Sequence, residues 1–180
     1  MKSRRNREAE RQYARDAKAL EPVAFRRLSP KSRRLLKIAE SQARVRDDDH
    51  VGTEHIVLAF YVFGPTSTAR ALESLGITSA LFSAQREDEP GPSPPGTIPL
   101  TPRARMIIAL AGAEASRIGS ELVEPGHVLL GVIRESEKWD ATGMAGPHHL
   151  RAAADAARTT LPALEQSVIR EMQSGHDDDA

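Results

Sequence analysis

The apolar positions of this chain fall into two trains of the same helical period, and the second repeats the first 72 residues later. Leu35, Leu36, Ala39 and Ala43 follow one another at steps of one, three and four residues, and Ile107, Ile108, Ala111, Ala115 and Ile118 do the same, so each set lines one side of a helix. Each train has the same start. Ser29-Pro30 and Thr101-Pro102 put a hydroxyl at the N-cap and a proline at the first helical position, where its missing N–H has no intrahelical partner to lose. Leu28 returns as Leu100, Arg33 as Arg105, Val51 as Val123, His55 as His127 and Leu58 as Leu130, and in both copies the proline and histidine stand 25 residues apart. A duplicated helical unit accounts for spacing matched in this way.

The remaining helices follow from punctuation. Thr53 is placed as the cap of a second helix bearing Ile56, Val57, Phe60 and Tyr61, and its counterpart begins at Glu124-Pro125 and bears Val128, Leu129 and Val132. A third helix, Ser67 to Leu75, stops at Gly76, and a fourth starts near Thr78. Their counterparts are Trp139 to Gly146, weakened by Gly143, Gly146 and Pro147, and Leu150 to Thr159. The pattern predicts an all-α fold of two tandem four-helix repeats. We divide the chain into a charged N-terminal arm (1–24), repeat one (25–86), a Pro/Gly-rich linker (87–99), repeat two (100–160) and a C-terminal helix with an acidic tail (161–180). The linker holds four prolines and two glycines between Glu87 and Gly96, which prevents helix. The arm is expected to be either mobile or a surface helix ended by Pro22, with Tyr13, Leu20 and Val23 as its candidates for burial.

Composition changes this picture little. With no cysteine there is no disulfide framework and no thiolate metal site, in keeping with a reducing cytoplasm, and no apolar run reaches membrane-spanning length. We expect a cytoplasmic protein with no cofactor and no metal. The net charge of zero conceals an asymmetry: residues 1–37 hold 13 Lys/Arg against 4 Asp/Glu, while the chain ends in Asp177-Asp178-Asp179.

The strings Leu28-Ser-Pro-Lys-Ser-Arg-Arg-Leu-Leu, Val51-Gly-Thr-Glu-His-Ile-Val-Leu-Ala59, Ala71-Leu-Glu-Ser-Leu-Gly-Ile77 and Ile98-Pro-Leu-Thr-Pro-Arg-Ala-Arg105 resemble the duplicated N-terminal domain of the Clp/Hsp100 unfoldases. The similarity is greatest to the ClpC type of Gram-positive bacteria and actinobacteria and extends over about residues 25–160. It implies a pseudo-twofold pair of helical bundles that receives protein substrates or adaptors and precedes an ATPase ring. These 180 residues hold no phosphate-cradling loop of such a ring: Gly126-His-Val-Leu-Leu-Gly131 lacks the lysine. The charged arm and acidic end lead us to expect a free-standing protein.

The resemblance also supplies site residues. It implies that Glu54, in the first turn of the second helix, meets the guanidinium of phosphoarginine on marked substrates; in the second copy Gly126 stands in its place and Glu124 is displaced by two residues, so one site is expected rather than two. Beside it His55 is read as a packed core histidine. It further implies that Phe25, Arg33, Leu100 and Arg105 line a hydrophobic groove with basic edges where cyclic peptide antibiotics dock, with Leu100 where the family commonly has an aromatic. The structural alternatives are a staple for Phe25 and solvated helix cations for the arginines.

The expected function is a non-enzymatic binding module of the Clp protease system, acting as adaptor or protective decoy, with Clp components, substrates, adaptors and cyclic peptide antibiotics as partners and no membrane. The alternative is a nucleic-acid-associated regulator using Arg4, Arg5, Arg7, Arg11, Arg15, Arg26 and Arg27; the interleaved acids and single aromatic of the arm weigh against it. A hydrolase built on Glu54-His55 or His148-His149 lacks a nucleophile motif or metal-ligand spacing, and the adjacent histidines read as a surface feature.

Overall fold

The computed structural model describes residues 4–64, 66–83, 96–142 and 149–174, the side chains of 4–6 and 142 excepted. Among them the chain is all-α: α1 (Arg4–Arg26), α2 (Pro30–Val45), α3 (Thr53–Val62), α4 (Ser67–Glu73), α5 (Ser79–Ser83), α6 (Pro102–Arg117), α7 (Pro125–Thr142), α8 (His149–Ala156) and α9 (Leu161–Ser174). The linker and the acidic tail lie largely outside the described residues, as does His148.

The starts of α2 and α6 are the same structure twice. Ser29 and Thr101 hold extended backbone, and their hydroxyls accept from the N–H of Ser32 and Ala104 at 3.1 Å each, with Pro30 and Pro102 opening the helices. The buried stripes then face one core: Leu35, Ala39 and Ala43 from α2, Ile107, Ile108, Ala111 and Ala115 from α6. Ile118 departs from expectation, since α6 ends at Arg117 and the side chain is 48% exposed.

The two repeats are tied by a reciprocal exchange. Leu28 pairs in parallel with Val123, and Leu100 with Val51. Because Leu100 is the repeat mate of Leu28 and Val123 that of Val51, the two pairs exchange under the pseudo-twofold. The bonds agree: Ser29 N–H to Val123 O at 3.1 Å and Val123 N–H to Arg27 O at 2.8 Å on one side, Thr101 N–H to Val51 O at 3.0 Å and Val51 N–H to Pro99 O at 2.8 Å on the other. Each repeat thus satisfies backbone groups that the other leaves open, and neither forms this junction alone.

Three expectations need correction. Thr53 is not the cap of α3 but its first residue; Gly52 is the cap, and its N–H is accepted by His55 Nδ1 at 2.9 Å. The repeat mate does the same, with the Glu124 N–H donating to His127 Nδ1 at 2.9 Å. The separate third helix of repeat two is, over its described part, the last turn of α7, which runs unbroken to Thr142. And Pro22 does not end the arm: α1 continues through it to Arg26. A proline inside a helix costs about 3 kcal/mol through the lost bond and the crowded carbonyl of the preceding turn. Tertiary contacts offset it here. Ala24 lies so close to Gly112 of α6 that a Cβ on that glycine would stand 2.6 Å from it. Just beyond, the Arg27 guanidinium donates to Glu121 O, Ser116 Oγ and Ser120 O at 3.0, 2.7 and 2.6 Å.

α1 is also held near its middle by a buried polar cluster. Glu135 of α7 is fully buried; it receives Arg103 Nε at 2.6 Å, Arg103 Nη2 at 2.8 Å and the Tyr13 hydroxyl at 2.8 Å. Trp139 closes the cluster, edge-on to Tyr13 with centroids 5.4 Å apart and with the Arg103 guanidinium 4.4 Å over its ring. Of the three arm residues expected to be buried only Tyr13 is; Leu20 and Val23 are 56% and 64% exposed. Among the described residues no helix is long and apolar enough to cross a membrane.

Candidate functional site

Three of the candidate groove residues meet at the last turn of α1. Phe25 is 40% exposed, and its ring lies 5.8 Å from the Arg33 guanidinium of α2. Arg33 also donates to the carbonyls of Leu28 at 3.2 Å and of Phe25 and Arg26 at 3.3 Å each, so it satisfies the C-terminal end of α1 and holds Phe25 in place. Arg105 reaches the same turn from α6 through a 2.6 Å contact with Glu21 Oε2. Glu21, Pro22, Phe25 and Arg26 line an open concavity of about 340 Å³. Leu100 sits apart from this cluster, half-buried against the core at its bridge to Val51.

Both arginines keep solvent exposure but have protein partners. One caps α1 and the other is paired by it, a role for Glu21 that the sequence did not announce because Glu21 and Arg105 lie 84 residues apart.

Glu54 occupies a second place, at the start of α3. Its carboxylate folds back over Gly52, so that a Cβ there would stand 2.5 Å from both oxygens. It lies 3.4 Å from His55 Nδ1 and 3.4 Å from His149 Nε2, and keeps 16% of its side-chain surface exposed. His149 belongs to the first turn of α8 and is buried, not the surface feature expected of it. His55 is fully buried; with Nδ1 accepting from Gly52, the ring proton sits on Nε2 and is donated to Asp48 Oδ2 at 2.9 Å. Burial lowers the pKa of His55 below the ordinary imidazole value against the opposing pull of Glu54 and Asp48, and burial likewise lowers that of His127. Both rings are neutral struts of helix starts.

The second copy of this place is closed. Gly126 stands where repeat one has Glu54, and a Cβ there would run into the thioether of Met172 from α9. The displaced carboxylate Glu124 accepts instead from the Ser29 hydroxyl across the junction at 2.8 Å. The pseudo-symmetry of the backbone is not a symmetry of the site.

Residues 27–141 match the Clp repeat (R) N-terminal domain family. The chain is 36% identical over 117 residues to "Negative regulator of genetic competence ClpC/MecB" of Bacillus subtilis, and 33% identical over 117 residues to the chaperone protein ClpB of Oceanobacillus iheyensis. Each alignment covers 64% of this chain but only 14% of the relative, so the chain spans about one seventh of the length of the curated relatives it matches. Among solved structures the N-terminal domain of Hsp104 from Candida albicans superposes with a TM-score of 0.62 over 79% of this chain and 89% of that one. That of ClpD from Arabidopsis thaliana gives 0.57 over 83% and 96%. At 12% identity these two likenesses speak for the fold. The chain belongs to the Clp repeat N-terminal domain family.

Proposed function

We propose that this protein is a non-enzymatic binding module of the Clp protease system, working in the cytoplasm, that captures marked protein segments, adaptor proteins or cyclic peptides as an adaptor or a decoy. The observation that carries the proposal is the turn around Phe25: a partly exposed aromatic, braced by one arginine and next to a second, over an open concavity of about 340 Å³. An apolar anchor with a few fixed polar groups around it is what a peptide site needs, and the volume falls at the small end of ligand pockets, roughly 300 to 1,000 Å³. Glu54 is the second candidate contact. It is the carboxylate to which the guanidinium of a phosphoarginine would dock, exchanging its contacts with His149 for charge-assisted hydrogen bonds. A catalytic part for the Glu54-His55 pair is disfavoured by geometry, since both ring nitrogens of His55 are already engaged.

The test is calorimetric titration of the whole chain with free phosphoarginine, with a cyclic peptide antibiotic of the ClpC-binding kind and with a ClpC ring whose own N-terminal domains are deleted. Binding to any of the three at micromolar concentrations supports the proposal, and silence from all three refutes it. In a reconstituted degradation assay an adaptor raises turnover of a marked substrate and a decoy lowers it.

A further inference from the structure

The outward face of α1 carries a second surface, which meets the peptide concavity at Pro22 and Arg26 and extends from it along the helix. On a helix of 3.6 residues per turn, positions 7, 11, 15, 18, 22 and 26 form one row. In α1 they are Arg7, Arg11, Arg15, Lys18, Pro22 and Arg26, and all six are exposed. The opposite face, Tyr13, Ala17 and Ala24, is buried against α6 and α7. Three of the four acids that weigh against nucleic-acid binding in the sequence are turned from this row. Glu21 is buried and paired with Arg105, Glu10 and Asp16 are half-buried, and Asp16 accepts from Gln12 Nε2 at 2.7 Å; Glu8 is exposed and, three residues before Arg11 and seven before Arg15, is the one acid at the edge of the row. Among the described residues Arg7, Arg11, Lys18 and Arg26 make no ion pair, and Arg15 donates to Gln12 Oε1.

We propose that this row of five cations is a docking ridge for the phosphate backbone of a nucleic acid. Its length, 19 steps from Arg7 to Arg26, is about 28 Å at 1.5 Å per residue. That matches about eight phosphates of one strand at 3.4 Å each. Four of the five are arginines, whose planar fork suits phosphate oxygens. A protein partner is the less fitting occupant of the stretch from Arg7 to Lys18, because a protein interface needs a buried apolar centre and the apolar side chains of this face, Pro22 and Phe25, stand only at its C-terminal end. Leu20 and Val23, also exposed, share a different row with Arg27, which faces the α6–α7 connection. Phe25 ends this face beside the peptide concavity and no aromatic side chain lies in the row between Arg7 and Lys18, so binding along that stretch reads charge and not sequence. The ridge is preorganised from its middle onward: Tyr13 near the centre of α1 and Ala24 near its end fix the helix, and little ordering entropy remains to be lost there on binding. It lies outside the matched family region, which begins at residue 27.

The experiment is fluorescence anisotropy with the whole chain and three labelled probes: a 20-nucleotide single-stranded RNA, a single-stranded DNA of the same sequence and its 20-base-pair duplex. Binding to at least one probe is expected, weakening by about 10²- to 10³-fold between 50 and 200 mM salt if all five cations are engaged on duplex. The relative affinities of the three probes tell which backbone is preferred. The triple variant R11Q/R15Q/K18Q should keep its circular dichroism and thermal midpoint, lose tenfold or more in affinity at 100 mM salt, and show a log–log salt slope shallower by about 2 to 3. The control R34Q/K37Q, which removes two exposed cations of α2, should change affinity less than twofold. The proposal is overturned if no probe binds below 1 mM protein at 50 mM salt, or if the triple variant binds as the parent does. It is equally overturned if polyglutamate displaces the probes at equal charge concentration, which would assign the ridge to an acidic protein.

Discussion

Replacing Glu135 by alanine should detach α1 from the rest of the fold. The carboxylate is fully buried and accepts three hydrogen bonds, two from Arg103 and one from Tyr13, over distances of 2.6 to 2.8 Å. Its removal leaves the Arg103 guanidinium, 12% exposed, facing a cavity and deprives the Tyr13 hydroxyl of its acceptor. Breaking a buried ion pair from one side costs about 3 to 5 kcal/mol, because the surviving charge keeps its desolvation penalty. Tyr13→Phe removes one charge-assisted hydrogen bond, worth about 1.5 to 3 kcal/mol, and keeps the edge-on contact with Trp139. The phenol remains a neutral donor throughout, since burial foremost and then the Glu135 charge push its pKa well up. The double variant should lose clearly less than the sum of the singles, because once the carboxylate is gone the hydroxyl has nothing to contribute. Urea unfolding of the four proteins measures these values. A Glu135→Ala protein destabilised by under about 1 kcal/mol, or strictly additive effects, would refute the idea that this cluster locks α1 in place. The destabilised Glu135→Ala protein expected here should also lose nucleic-acid binding, as the ridge loses its support at Tyr13.

Gly131→Ala tests the approach of α7 to α6: the new Cβ would stand 2.5 Å from the Ile107 carbonyl oxygen, a backbone atom that yields little, and should cost about 1 to 3 kcal/mol in urea despite alanine's better helix propensity. Stability should fall as pH drops below about 6.5, the ordinary histidine value, because His55 and His127 have lowered folded pKa values and the unfolded chain then binds more protons; a urea midpoint that stays flat from pH 7 to pH 5 would contradict this. Phe25→Ala, with the fold intact, should weaken a cyclic peptide by about 1 to 3 kcal/mol in calorimetry, and unchanged affinity would move the site elsewhere. Phosphoarginine should fill at most one strong site, and Glu54→Gln should lower its affinity by about tenfold or more; two equal sites, or an unaffected variant, would show that Glu54 serves only its helix start.

Much of the backbone was legible because its instructions are local. An N-cap hydroxyl, the proline after it and an apolar step of three or four residues act within one or two turns, so Ser29-Pro30, Thr101-Pro102 and the stripes on α2 and α6 read correctly from the chain. The 72-residue period also carried the equivalence of His55 and His127, whose rings cap the same helix start. What the period could not supply is which residue meets which across the junction. The exchange of Leu28 with Val123 and of Leu100 with Val51 depends on where two separately formed bundles are placed, and no local pattern encodes it. The same holds for α1. Pro22 should stop a helix on local grounds, and only contacts to residues about 90 positions away, Gly112 and the Arg27 acceptors, carry the helix through it. Tertiary structure also decided the chemistry: it gave Arg33 and Arg105 to α1, filled the second Glu54-like place with Met172, and turned a mixed string of acids and bases into one inward and one outward face. Sequence fixes which side chains share a helix face, but which face is buried is decided by what packs against it.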